Sequence, residues 1–380
     1  MSDRELRAVT MADVARHAGV SVKTVSNVIN DYPHIRPGTR DRVEASIAAL
    51  GYRLNLSARR LRTRRTGMIT LAVPELRLPY FAELADAVIR EADVRGLTVL
   101  IEQTGGRAER EREVLSGARR QLTDGLILSP LGLTSADRAS FAIDTPLVLL
   151  GERVFGAPAD HVTMNNVAAA RAATEHLLGL GRERIAVIGP SATDTAGPSG
   201  VMTGSATLRL AGYRDALKSA GRAFDPALLI PAVPWHRSAG AEALGTFLDG
   251  GGQVDAVFAL NDALALGALY ALHARRVEVP ETVALIGFDD VDDVRYATPT
   301  LSSVAPGRDE IARTAVELLH ARIEGGGTSD AEYVRVVTDS RVIARQSTGT
   351  DGERVVSEQP GSRVPVTEQP LGASEPAFRV

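Results

Sequence analysis

Ala12, Val14, Ala15 and Ala18 recur at helical spacing in the run VTMADVARHAGVSVKTVSNVIN, residues 9–30. Gly19 permits a tight turn. Ser21 stands where it can cap a second helix over about 22–29, with Val25, Val28 and Ile29 facing inward. Helix, short glycine-containing turn, helix is the pattern of a helix-turn-helix, whose second helix enters the major groove of DNA. Short helix pairs also occur in proteins that never touch DNA, so charge has to discriminate. The chain has a formal net charge of −4, but residues 1–66 hold 13 Arg and Lys against 6 Asp and Glu, a net of +7, and the remainder carries −11. A basic head on an acidic body suits phosphate binding better than a chance bias of a solvated surface does.

A second group of polar residues stands at the carboxyl ends of apolar runs. Ser129 ends the run 125–129, Asn261 and Asp262 end 255–260, and Asp289 and Asp290 end 283–288. Ligands of parallel α/β sheets bind outside those ends. Such residues are also common as solvated loop positions, but their clustering in neighbouring loops favours a polar small-molecule site.

The elements that position these groups follow from periodicity. A third helix fits 39–50, with Thr39 as its cap, Val43, Ile47 and Leu50 as its stripe and Gly51 after its end. Residues 52–66 are densely basic. They either order into a short helix on DNA or on a partner chain, or serve as a flexible linker. From Gly67 onward, apolar strand runs (68–73, 97–102, 125–130, 146–151, 184–189, 228–232, 255–260, 283–288) alternate with helices near 80–95, 109–121, 166–180, 205–220, 237–249, 262–276 and 308–324. This predicts an α/β fold with parallel sheets covered on both faces, in two similar subdomains. The expected organisation is a head at 1–55, a hinge at 56–66, and a body at 67–345. Its first subdomain is drawn from about 67–165 and 300–325, its second from 166–299 and 326–345. The tail 346–380, rich in Gly, Ser, Pro, Glu and Gln, reads as disordered and shows no leucine heptad.

No cysteine is present, which removes disulfides and Cys-ligated metals. The N-terminus lacks an apolar signal core and no apolar run reaches spanning length, so a cytoplasmic location is expected. No G-x-G-x-x-G follows the first strand, and there is no P-loop Gly–Lys, G-x-S-x-G or H-E-x-x-H. No enzyme activity, cofactor or metal is expected.

The ordered motifs VTMADVARHAGVSVKTVSNVIN, TRDRVEASIAALGY, SARRLR, PYFAEL, LRLAGYRDAL, ALNDALALGAL and ALIGFDD resemble the lactose-repressor family of bacterial transcription regulators over about residues 9–345. The resemblance implies a homodimeric repressor on a pseudo-palindromic operator, with a periplasmic-binding-protein-like body that binds a small effector, expected to be a sugar. It implies that Val22 and Lys23 face base edges. Asn27 stands where many relatives carry Arg, and asparagine favours adenine. Thr10, Thr24, Ser26, Asn30 and His34 would touch phosphates. Leu61 would wedge the minor groove or pack a dimer, with Ala58 allowing close approach and Arg62 alongside. Leu54 replaces a proline of those relatives. For the effector, the resemblance points to Arg209, Asp289 and Trp235, the last also readable as ordinary core. Phe81, Ser129 and Asn261 complete the expected lining. At Ala305–Pro306–Gly307 the chain lacks a basic residue and a glutamine that relatives often carry. The residues alone leave two other classes open: a sugar-binding protein without regulation, against which the basic head and the lack of a signal core argue, and a sugar-modifying enzyme fused to a DNA-binding head.

Overall fold

The computed structural model describes residues 9–29, 32–52, 65–117, 122–191, 204–325 and 332–366. The chain forms two compact units, 1–66 and 67–380.

The first unit holds α1 (Met11–Ala18), α2 (Val22–Ile29) and α3 (Pro37–Leu50). Thr10 caps α1 in a reciprocal box with Asp13: the Asp13 amide donates to Thr10 Oγ1 at 3.3 Å, and the Thr10 amide donates to Asp13 Oδ2 at 3.0 Å. Gly19 ends α1 at φ 65°, and the Thr24 amide donates to Ser21 Oγ at 3.0 Å. Val14, Val25, Val28 and Val43 make the small core. Two expectations change. Ala12 is exposed, and α3 begins at Pro37 after Arg36, not at Thr39. Proline is preorganised for a first helical position and displaces the threonine cap.

The second unit contains two seven-stranded sheets. The first is ordered β14-β11-β5-β4-β3-β1-β2, the second β13-β12-β10-β9-β8-β6-β7. The strands are β1 (Met68–Val73), β2 (Thr98–Gln103), β3 (Gly125–Leu128), β4 (Leu147–Leu150), β5 (Asp160–Met164), β6 (Ile185–Ile188), β7 (Leu229–Ile230), β8 (Ala256–Ala259), β9 (Ala284–Phe288), β10 (Ser302–Ala305), β11 (Val334–Thr338), β12 (Ser340–Ala344), β13 (Arg354–Gln359) and β14 (Ser362–Pro365). The first sheet packs α4 (Pro79–Asp93), α5 (Ala108–Ser116) and α10 (Arg308–Glu324). The second packs α6 (Asn166–Gly179), α7 (Ser205–Ser219), α8 (Arg237–Asp249) and α9 (Asp262–Ala274). The central strands of both sheets are parallel and buried on both faces, as their continuous apolar runs require.

The chain passes between sheets between β5 and α6, between β10 and α10, between β11 and β12, and between β13 and β14. The expected partition therefore shifts: β10 joins the second sheet and β11 the first. The tail also differs from expectation. Residues 346–348 form a 3-10 turn, and β13 and β14 pair antiparallel with β12 and β11. These are short edge strands stabilised by ladder bonds to sheets already formed, so they need few large apolar side chains of their own.

Candidate functional site

In the head, Lys23 and His34 are exposed and Val22 is 46% exposed, while Thr24 and Asn27 are half-buried on the same helix or beside it. Thr10 spends its hydroxyl on the α1 cap. Ser26 is buried on α2, next to the core residue Val25. Its place one residue after Val25 puts it on the inner flank of the helix. Asn30, Ala58, Leu61 and Arg62 lie outside the described residues, as does Leu54.

In the body, a cavity of about 580 Å³ opens between the loops of the two sheets. Its lining includes Phe81 and Ser129 from the first sheet's side, and Arg209, Trp235, Asn261 and Asp289 from the second's. All six residues expected at the effector site thus meet in one cavity of ligand-binding size.

Their chemistry differs from residue to residue. Arg209, buried on α7, is held by its own hydrogen bonds. Nε donates to Asn166 Oδ1 at 2.8 Å, Nη1 donates to the Leu260 carbonyl, and the guanidinium lies 3.5 Å from the Phe288 ring centre. Nη2 lies 3.8 Å from Asp289 Oδ1. Asp289 and Asp290 follow β9 at φ 112° and 47°, a left-handed backbone that non-glycine residues adopt only under constraint. Burial pushes the Asp289 carboxyl up to about 7. Arg209 and Arg308 pull it down, and Glu152 and Glu83 push it further up. Burial likewise pulls Arg209 down from its ordinary value, against the opposing pull of Asp289 and Glu152. Burial, then Asp289 and Glu152, raise the Tyr80 hydroxyl. Burial thus disfavours the charged form of both partners, while each partner's charge favours the charged form of the other.

Asn261 and Trp235 have prior structural duties. Asn261 Oδ1 caps α9 through the Leu264 amide at 2.8 Å, and Nδ2 donates to the Trp235 carbonyl at 3.2 Å. Trp235 Nε1 donates to the Gly189 carbonyl at 2.8 Å, which leaves the ring for contact. Asp262 and Asp290 do not line this cavity. Asp262 accepts from Ser303 Oγ at 2.6 Å and from the Val291 amide at 3.0 Å, and Asp290 accepts from Arg345 at 2.7 Å.

Sequence reasoning missed several lining groups that bridge the two halves. His236 Nε2 lies 2.9 Å from Glu75 Oε2, and Ser205 Oγ donates to Glu152. The strand-end rule reaches Glu75 and Glu152, each two residues beyond its strand. Beside the crossing at 305–308, Arg308 donates to the Asp289 carbonyl at 3.2 Å and pairs with Glu83 at 2.7 Å. Among the described residues no group of three or more His, Asp or Glu is arranged for a metal, and no helix is long and apolar enough to cross a membrane.

A helix-turn-helix unit joined to a two-sheet body with an interlobe cavity defines a ligand-responsive DNA-binding regulator. The comparisons with known proteins agree. The family of bacterial regulatory proteins of lacI type matches residues 10–55, and the periplasmic binding protein-like domain matches 174–348. The HTH-type transcriptional regulator CelR of Thermobifida fusca is 36% identical over 354 residues, 90% of this chain and 98% of its own length. A CelR–cellobiose complex superimposes with TM-score 0.62 at 32% identity, covering 89% of this chain and 99% of that one. The lac repressor dimer bound to operator and the anti-inducer ONPF gives TM-score 0.73 at 25% identity, covering 90% and 99%. A chain from Sanguibacter keddieii DSM 10542, described as a LacI-family transcriptional regulator, is 53% identical over 75% of this chain and all of its own length, with TM-score 0.68. This chain belongs to the lacI family of bacterial regulatory proteins. It is a DNA-binding transcriptional regulator, in a family that is not enzymatic.

Proposed function

We propose that this regulator is a repressor that binds a pseudo-palindromic operator as a homodimer and changes its operator affinity when a sugar enters the cavity. The observation that carries this reading is the convergence of Phe81, Ser129, Arg209, Trp235, Asn261 and Asp289 on one cavity between two sheets. Trp235 and Phe81 offer faces for the apolar side of a pyranose. Arg209 and Asp289 offer a complementary donor and acceptor for its hydroxyls. CelR bound to cellobiose and the lac repressor dimer on operator with ONPF are the relatives that support sugar and dimer together.

In the head, Lys23 reads a base, Val22 touches a thymine methyl, and Asn27 prefers adenine. Leu61, with Ala58 and Arg62, enters the minor groove at the operator centre, and Asn30 and His34 touch phosphates. The effector shifts the population of the two lobe arrangements, which biases the ordering of residues 56–66. Binding chromosomal DNA places the protein in the cytoplasm.

A thermal-shift panel of mono- and disaccharides, with cellobiose included, tests the effector class. A sugar that binds only the folded state raises the melting temperature in proportion to ln(1 + [L]/Kd). A panel in which no sugar moves the melting temperature, while a nucleobase or amino acid does, would replace the sugar reading.

A further inference from the structure

We infer that the C-terminal segment 354–365 is a brace across the two lobes, which limits how far the cleft opens. Two of the chain's passages between the sheets, at 164–166 and 305–308, are single stretches of backbone. The passage from β11 to β12, through Asp339, is different, because β13 and β14 run back alongside it.

The register shows how closely. On the first sheet Val334 faces Pro365 and Val337 faces Ser362; on the second Ser340 faces Gln359 and Val342 faces Ser357. Every one of these pairs keeps the same antiparallel alignment, with Pro360 and Gly361 opposite Asp339 and Thr338. The two ladders are therefore one ribbon that starts in one sheet and ends in the other. Only beyond Val342 does the register slip.

The ribbon is closed at the point of passage. The Gly361 amide donates to Asp339 Oδ1 at 2.6 Å. A Cβ on residue 361 would sit 2.2 Å from the Val337 carbonyl oxygen and 3.0 Å from the Asp339 amide nitrogen, so the close approach requires glycine. The Val366 amide continues the pairing with the Tyr333 carbonyl at 2.7 Å.

A single passage reorients by rotation about a few φ and ψ angles. A paired ribbon can twist, but a reorientation must be shared by two backbones joined by cross-strand bonds, so it is more restrained than a single passage. The segment contributes little core, since Val355 and Val356 are 48% and 40% exposed. Its contribution lies in pairing. The brace thus favours the lobe arrangement in which Ser205 meets Glu152 and His236 meets Glu75.

The test needs no effector, so it stands apart from the sugar reading on whose cleft it rests. The chain has no cysteine, so Glu109→Cys and Glu242→Cys, exposed positions on the two lobes, give a unique pair for spin labels. Labelled protomers are diluted into unlabelled protein and distances are read by double electron–electron resonance. The brace predicts a distance distribution at least twofold broader for a chain ending at Thr350, for Gly361→Ala and for Asp339→Ala. A chain ending at Val366 keeps the width of the full chain. Equal widths in all of these would overturn the inference. If the chain ending at Thr350 does not fold, the two point variants decide, and Asp339 is an exposed position whose change leaves the core intact.

Discussion

Replacing Asp289 with asparagine should stabilise the ligand-free body and impair its response to effector. Asp289 is 7% exposed and its carboxyl is pushed up to about 7, chiefly by burial. An ordinary aspartate ionises at about 3.9, so keeping the charged form in this site costs roughly 4 kcal/mol at 1.36 kcal/mol per pH unit. The sign follows from proton binding. Between pH 4 and 7 the folded state holds a proton that the unfolded state has released, so stability falls as pH rises through that window. The full cost is present above pH 7. An asparagine amide mimics the protonated carboxyl in shape and cannot titrate. At about 2 °C per kcal/mol for a body of this size, Asp289→Asn should melt up to roughly 8 °C above the parent at pH 8, with the gap closing toward pH 4.5. Differential scanning fluorimetry across that range, with and without a binding sugar, reads both effects. The sugar-induced shift should shrink in the variant, because a donor group replaces one acceptor oxygen. If the variant melts below the parent at pH 8, Asp289 and Arg209 form a stabilising ion pair and the reasoning fails. Parallel pH profiles for the two proteins would refute it as well.

Three further outcomes are expected. Lys23→Ala should relax base preference at one position of each operator half-site, at about 1–3 kcal/mol, in a selection from randomised duplexes; a uniform loss for all DNA would make Lys23 a phosphate contact instead. Deleting residues 1–66 should abolish operator binding in a mobility-shift assay and leave sugar-induced stabilisation of the body unchanged, because 67–380 is a compact unit by itself. Gly267→Ala should lower the body's melting temperature, since a Cβ there would lie 1.9 Å from the Arg237 carbonyl oxygen where α8 crosses α9. Overpacking of that kind costs about 1–3 kcal/mol, and an unchanged melting curve would show that the helices separate freely.

The parts of this protein legible from sequence are those with a local signature. The run MITLAV is β1, the helix expected at 308–324 is α10 residue for residue, and Gly19, Ser21 and Gly51 take the turn and cap positions their types suit. The cavity was partly legible because strand ends face it: Ser129, Asn261 and Asp289 could be named from position alone. Pairs such as His236 with Glu75, 161 residues apart, carry no local signal. Asn261 shows the opposite difficulty, since an amide at a strand end is also a helix cap, and here it is spent on that duty. The C-terminal strands escaped because RVVSEQ and SRVP lack large apolar residues and are ordered by the neighbouring strands they pair with.

Operator affinity measured by fluorescence anisotropy, for the full chain and Arg209→Ala, with and without a sugar identified by thermal shift, tests the central claim most directly. Arg209 sits in the body's cavity and makes no part of the head, so the two proteins should bind operator equally well in the absence of sugar. Sugar should change the parent's dissociation constant at least tenfold, about 1.4 kcal/mol of coupling, and leave that of Arg209→Ala nearly unmoved. An equal response in both proteins, or operator affinity in the parent indifferent to every sugar that stabilises the body, would contradict the account.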